Sequence, residues 1–358
     1  MSTRETIQVA TRGSDLALRQ TSMVQSWLAE HRIEAELVEV ETRGDRIDDA
    51  LIRDLGKTGA FVRALDEKVL SGEVDAAVHS MKDVPTEQPE ELVVAAVPAR
   101  AAPEDVLLTP EGTTLEDLPE GAVVGTSSLR RGAQVLARRP DLEIEPLRGN
   151  VDTRVEKVLA PHLQAEHEAR LGESADESDD DTDEYEKSAE EWFDGLAEIE
   201  RAALGREVDT EYDAIVLAKA GLERSGLEED VEFSLLPTDR HVPSAGQGAL
   251  AISAHEESEV GESIRRALDH EPTRVATTVE RIVLAELGAG CVAPLGVHAT
   301  VTGDIVRATA QVLSQDGTEE IRERRDLDVE DYANEARALA ADMADRGAAS
   351  LIEEAKRE

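Results

Sequence analysis

Apolar positions in the first hundred residues switch between two periods. Ile7-Gln8-Val9-Ala10 reads as a strand ending near Arg12, and Asp15 to His31 places Leu16, Leu18, Met23, Trp27 and Leu28 at helical spacing. Glu36 to Thr42 alternates as a second strand, Phe61 to Leu70 is helical, and Val74 to Val78 and Leu92 to Val97 are apolar strand-length runs. This recurrence predicts an α/β layer with a largely parallel sheet. Ala99 to Pro103 interrupts it as a hinge. A second α/β unit follows, with strands Ala122 to Gly125, Glu143 to Leu147 and Ala214 to Leu217 and helices Leu129 to Arg139 and Val151 to Val158. Ser244 to Ala249 reads as a second crossing. Beyond it come a helix from Thr273 to Leu287, a glycine-rich turn, short strands at Val297 to Val301 and Ile305 to Val312, and a long terminal helix from Val329, together a third, α+β unit. The boundaries expected are 1–103 with 245–268, then 104–244, then 269–358.

Charge narrows the function. Among 358 residues, 79 acids face 38 lysines and arginines, a formal net charge of -41, and lysine occurs only at 57, 68, 82, 157, 187, 219 and 356. Such a surface resembles that of halophilic cytosolic proteins. It repels itself in dilute buffer, and at about 1 M salt the screening length falls to roughly 3 Å. With no basic arm or aromatic platform, no nucleic-acid partner is expected. Met1 to Glu5 lack a signal peptide's apolar core and no apolar run reaches membrane-spanning length, so a cytoplasmic protein without a membrane partner is expected. The interval 162–210 interrupts the second unit. Its Glu173 to Glu191 stretch is dominated by Asp, Glu and Ser and reads as disordered or weakly helical chain, while Trp192, Leu196 and Ile199 have the spacing of a docking helix. The interval is therefore read as an insertion.

Against this acidity, arginines gather where strands end. Gly125-Thr126-Ser127-Ser128-Leu129-Arg130-Arg131 places two cations in a helix's first turn, where the helix dipole favours acids, after hydroxyls suited to capping. Thr11-Arg12-Gly13-Ser14-Asp15 repeats the plan, as does Leu147-Arg148-Gly149-Asn150 with Arg154 in the following helix. Arginines at the carboxyl ends of α/β strands suit a ligand with several carboxylates or phosphates. In Val78-His79-Ser80-Met81-Lys82-Asp83-Val84-Pro85, a strand ends and the proline holds Lys82 and Asp83 on a loop, with His79 expected in the core. Asp83 beside such a cluster is placed to stabilise a developing cation or to exchange protons. Gly56-Lys57-Thr58 is not a phosphate loop, because the glycine required earlier is Leu51. The single cysteine, Cys291, lies in Gly288-Ala289-Gly290-Cys291-Val292-Ala293-Pro294. From its neighbours alone it is either a small apolar filler or an accessible nucleophile.

In their order along the chain, Ala10 to Ser14, His79 to Pro85, Gly125 to Arg131, Leu147 to Val151, Gly246-Gln247-Gly248 and Gly290-Cys291 resemble the hydroxymethylbilane synthase, or porphobilinogen deaminase, family. The resemblance implies two periplasmic-binding-protein-like domains and a smaller α+β domain carrying the cysteine. It also implies a transferase that joins four porphobilinogen molecules, with release of ammonia, on a dipyrromethane primer, and then releases hydroxymethylbilane. By the same resemblance Cys291 carries the primer through a thioether and Asp83 is catalytic. Lys82, Asp83, Thr126, Ser128, Arg130 and Arg131 hold the primer, and Arg12, Ser14, Gln20, Arg148, Arg154 and Arg224 hold the substrate and growing chain. Arg43 to Gly59 corresponds to a lid. A monomer that hands its product to a cyclising synthase is expected. The sequence departs from many relatives at Ala289, where they have glycine, and in the acidic interval. Two rival readings are a polycarboxylate sensor, which leaves Asp83 and Cys291 without a task, and a transferase for phosphorylated ligands, for which a complete phosphate loop is missing.

Overall fold

The computed structural model describes residues 6–40, 60–175, 187–288 and 293–357. The expected lid over 43–59, Cys291 and the middle of the acidic run lie outside these residues. β1 (Ile7–Arg12), α1 (Asp15–Glu30), β2 (Ala35–Val40), α2 (Ala60–Leu70), β3 (Ala76–Ser80) and β4 (Leu92–Ala96) follow one another before the chain crosses into a second sheet. That sheet takes β5 (Asp105–Leu108), β6 (Val123–Gly125), β7 (Glu143–Glu145), β8 (Ala214–Ala218) and β9 (Phe233–Leu236). Its helices are α3 (Leu129–Leu136), α4 (Val151–Ala175), α5 (Ala189–Gly195), α6 (Glu198–Leu204) and α7 (Lys219–Ser225). The chain then returns as β10 (Leu250–His255) and α8 (Glu259–Leu268). It ends in α9 (Glu271–Glu286), the strands β11 (Leu295–Thr302), β12 (Ile305–Leu313) and β13 (Glu320–Asp328), and α10 (Tyr332–Asp345) and α11 (Ala348–Arg357).

Both five-stranded sheets are largely parallel, as expected, with one reversed strand in each. In the order β2-β1-β3-β10-β4, β10 runs antiparallel to both neighbours, and in β7-β6-β8-β5-β9 the antiparallel strand is β5. The reversed strand in each sheet is the one that arrives from the other unit. The two α/β sheets and a smaller α+β unit are thus present. Each sheet has cores on both faces: Val9, Val24, Leu28 and Ile252 on one side of the first, Ala10, Leu65, Val69 and Ala77 on the other. β5 and the first four residues of β8 are buried throughout, so they lack the alternation that marks a half-exposed strand. The third sheet, β11-β12-β13, packs with α9 and α10 around Val279, Val283, Val297 and Leu339.

Two helices differ from expectation. α4 runs through Pro161 to Ala175, well into the interval read as an insertion. α5 and α6 then return along it, burying Leu196, Ile199 and Ala203 in the second unit's core. The terminal helix is two helices, because Gly347 has a φ of 102° and ends the first.

Candidate active site

β3 delivers the chain to a single 3₁₀ turn, Met81–Asp83. The Met81 amide donates to the Ala249 carbonyl at 3.0 Å, and the Val84 amide closes the turn on Met81 at 3.2 Å. The second crossing lies directly against it. Gly246 has a φ of 76°, and a Cβ there would stand 2.6 Å from Met81 Cγ and 3.1 Å from the Lys82 nitrogen. Gly248, with a φ of 83°, would meet the Ala101 carbonyl at 2.6 Å. Only glycine lets both crossings and the turn approach this closely. His79 is buried, as expected, with Asp66 and Ser253 at 3.0 and 3.1 Å from its Nε2.

Lys82 is half-buried and Asp83 is exposed. Burial pushes the Lys82 ammonium below its ordinary range; Asp83 and Asp105 hold it up, and Arg131 and Arg154 press it down. These neighbours come from both α/β units. Four cations, Lys82, Arg130, Arg131 and Arg154, gather around two carboxylates, Asp83 and Asp105, in a chain that is otherwise strongly acidic.

Ser128 caps α3, its Oγ accepting from the Arg131 amide. The side chains of Arg130 and Arg131 do not lie over the exposed end of the helix. They turn inward onto Asp105, which is 1 % exposed. Asp105 accepts from Arg130 Nη1 at 2.8 Å, from Arg131 Nη2 and Nε at 2.8 and 3.1 Å, and from Gln247 Nε2 at 2.9 Å. Burial would raise this carboxyl, but the two guanidinium groups hold it well below the usual carboxylate range. Arg130 also donates to Gln134, to the Val242 carbonyl and to Gln247. A buried carboxylate thus offsets the unfavourable helix-end charge.

Thr126 is buried and its Oγ1 accepts from the Ser128 amide at 3.2 Å. Gln20 is buried and its Nε2 donates to Ser80 Oγ at 3.3 Å, bracing the strand that leads to Lys82. Arg12 ends β1 and Ser14 stands at the N-cap of α1 without capping it through its side chain. Arg148 follows β7, and its carbonyl accepts from Lys157 at 3.3 Å. Arg154 Nε donates to the Gly149 carbonyl at 2.8 Å, and burial together with Arg131 lowers its pKa to about 10. Arg224 donates to the Gly248 carbonyl at 2.6 Å. Burial lowers its pKa, and its Nε is buried with no hydrogen-bond partner among the described residues. The structure therefore brings Lys82, Asp83, Arg131 and Arg154 together and sets Arg224 at the crossing. At the seam of the two units a cavity of about 380 Å³ is lined by Asp15 and Arg19 of α1, Asp152 of α4 and Glu198 of α6.

Asp105, Glu280 and Arg281 escaped the sequence reading, and Gln247 entered it only within the Gly246-Gln247-Gly248 motif, without a role. Two arginines in a first helical turn call for a buried counter-ion, which was the available signal for Asp105. Glu280, fully buried on α9, accepts from Arg100 at 2.6 Å, the Gly246 amide at 2.6 Å and the Ala299 amide at 2.7 Å. As one acid in an apolar face, it could have been flagged as unlike its neighbours.

Comparison with known proteins decides the family. The model of "Porphobilinogen deaminase, dipyromethane cofactor binding domain" matches residues 7–170 and 201–262, and that of "Porphobilinogen deaminase, C-terminal domain" matches 275–346. The chain belongs to the porphobilinogen deaminase family. A protein named "Probable porphobilinogen deaminase" from Halobacterium salinarum is 56% identical, over 98% of both chains. One of the same name from Methanosarcina acetivorans is 39% identical over 97% of this chain and 94% of that one. A "Porphobilinogen deaminase" from Exiguobacterium sp. is 39% identical over 88% of each. The family match omits 171–200, which lies within the interval 162–210. Membership makes the chain a transferase of tetrapyrrole synthesis that joins four porphobilinogen molecules into hydroxymethylbilane on a dipyrromethane cofactor. The donor set fits such a group: Lys82 and Arg131 lie close together where the two units meet, and cations of this kind suit its carboxylates.

Proposed function

We propose that Asp83 is the catalytic residue of this transferase and that Cys291 bears the dipyrromethane as a thioether. When bound, the cofactor supplies the free pyrrole carbon on which the chain grows. Lys82, Thr126, Ser128, Arg130 and Arg131 hold it, with Arg130 acting mainly through Asp105 and Arg131. Arg12, Ser14, Gln20, Arg148, Arg154 and Arg224 receive the acetate and propionate of porphobilinogen and of the elongating product. The observation that supports this reading is that Arg154 of one unit lies close to the Lys82–Asp83 turn of the other, where substrate carboxylates would sit beside an exposed acid.

The chemistry follows from that placement. Porphobilinogen enters with its aminomethyl group protonated, and the Asp83 carboxylate accepts a hydrogen bond from that ammonium. Ammonia leaves with the electron pair of its carbon–nitrogen bond, and the methylene left behind is cationic. Asp83 then faces that cation at short range, where a fixed carboxylate stabilises developing charge. The guanidinium groups neutralise carboxylates that would otherwise raise the charge of the cleft with every addition.

The units proposed are 1–103 with 245–268, 104–244, and 269–358. The protein is further proposed to be a cytoplasmic, halophilic monomer that passes its product to a cyclising synthase. In support, the net charge is -41 and no helix of the described residues is long and apolar enough to cross a membrane. The interval 162–210 is proposed to add solvated acid to the second unit rather than a site. Ammonia release in a single turnover tests the assignment of Asp83. Asp83→Ala is expected to slow it by about 10²–10⁴-fold, and a rate within threefold of the parent's would remove Asp83 from the mechanism.

A further inference from the structure

The Lys82–Asp83 turn is gripped from outside its own unit. Arg281, on α9, donates from Nη1 to the Val84 carbonyl at 2.7 Å and from Nη2 to the Pro85 carbonyl at 2.6 Å. These are the two carbonyls that follow Asp83, nearly two hundred residues away in sequence. The 3₁₀ turn is a single turn, closed by the Val84 amide, and Pro85 has no amide proton. The turn therefore has few donors of its own, and a guanidinium fork across two successive carbonyls fixes both their spacing and their plane.

The neighbouring residue on the same helix holds the other side. Glu280 binds the Gly246 amide and Arg100, one from each crossing, while Met81 hangs from Ala249 of the second crossing. α9 is anchored in the third unit's core by Val279 and Val283, both fully buried. In sequence it leads on to Cys291. One rigid helix thus secures the crossing beneath the turn through Glu280 and the far end of the turn through Arg281.

We propose that Arg281 is a positioning residue for the reaction: it sets the Lys82–Asp83 turn relative to the helix that carries the chain toward Cys291. Arg281 does not touch the reacting atoms. It acts through the backbone that presents Asp83, so this inference rests on the reading of Asp83 given above. Loosening the turn lets the carboxylate drift, and a misplacement near 1 Å costs about 100-fold in rate.

The test uses the full-length, cofactor-loaded protein with Arg281→Met, which keeps much of the stem, and Arg281→Lys, which keeps the charge without the fork. For Arg281→Met, kcat should fall roughly 10- to 100-fold while KM for porphobilinogen stays within about twofold. Amide hydrogen exchange should quicken in residues 80–86 and not across the rest of the first sheet. Arg281→Lys should fall between the two, and free guanidinium at low concentration should partly restore Arg281→Met. A kcat within twofold of the parent's, or unchanged exchange at 80–86, overturns the inference, as does a rise in KM paralleled by faster exchange throughout the protein. If Arg281→Met does not fold, the same readouts on Arg281→Lys decide it. Asp83→Ala measured in parallel separates the two claims. An inactive Asp83→Ala beside fully active Arg281 variants refutes the positioning role alone. An active Asp83→Ala refutes the reading of Asp83, and with it the catalytic consequence claimed for Arg281.

Discussion

Replacing Asp105 by asparagine removes one charge from the least solvated part of the site and leaves Arg130 and Arg131 without their shared counter-ion. Asp105 receives four hydrogen bonds, three of them from guanidinium groups, and is 1 % exposed. Breaking a buried ion pair by removing one partner costs about 3–5 kcal/mol. The asparagine oxygen recovers roughly one charged hydrogen bond, about 1.5 kcal/mol, and its amide group turns a donor toward a guanidinium. A net loss of about 3 kcal/mol is expected. The pH dependence adds a second criterion. The carboxyl is held below its usual range when folded and titrates near 4 when unfolded, so the stabilisation is complete above about pH 4 and is lost only as the pH falls further. Urea unfolding of Asp105→Asn and the parent, at one high salt concentration and from pH 8 down to pH 3, is the assay. The difference should be constant from pH 8 to about 5 and shrink below about 4. A difference under about 1 kcal/mol, or one that has vanished by pH 6, would refute the account of Asp105 as the counter-ion on which both arginines depend.

Three further outcomes are expected. His241 is 2 % exposed, and burial, with Arg138 and Arg130 nearby, lowers its pKa to about 4. The unfolded chain binds this proton more readily, so stability should fall as pH drops from about 6.5 to about 4, by about 3 kcal/mol in all, and His241→Gln should flatten that part of the stability profile. Trp192 stacks on His167 at 5.9 Å, lies under Arg170 at 5.2 Å and packs against the second unit's core. Trp192→Ala should cost about 1–3 kcal/mol and speed proteolysis within 171–200 while turnover stays within twofold; a large loss of turnover would show that the insertion serves the site. Gly248→Ala would force a side chain onto the Ala101 carbonyl at a φ of 83°, so thermal unfolding should move to clearly lower temperature, and an unchanged melt would contradict the close approach of the two crossings.

What the sequence could reveal depended on how local the cause was. β1 and α1 were legible because Ile7-Gln8-Val9 and the Leu16 to Leu28 spacing each carry a period of their own. β5 was not, since its apolar part, Val106 to Leu108, is only three residues long and follows a buried acid, too short a run to show a period. β13, Glu320–Asp328, is dominated by charge because it is an edge strand paired on one side only, which leaves no apolar alternation to mark it. The antiparallel course of β10 and β5 is set by which unit the chain is leaving, a long-range fact. The site divides the same way. The arginines stand out because they oppose the helix dipole and the charge of the chain. Asp105 acquires meaning only from contacts 25, 26 and 142 residues distant, and Arg281 from contacts 196 and 197 distant.

The central claim is that the chain builds and carries a dipyrromethane on Cys291 and elongates it with Asp83. Intact mass spectrometry of the protein, made in cells with a working porphobilinogen supply, tests it most directly. The account predicts a mass above that of the polypeptide by two linked pyrrole units, absent from Cys291→Ala and retained in Arg281→Met. A parent protein at the bare polypeptide mass, or an adduct that survives Cys291→Ala, would contradict it.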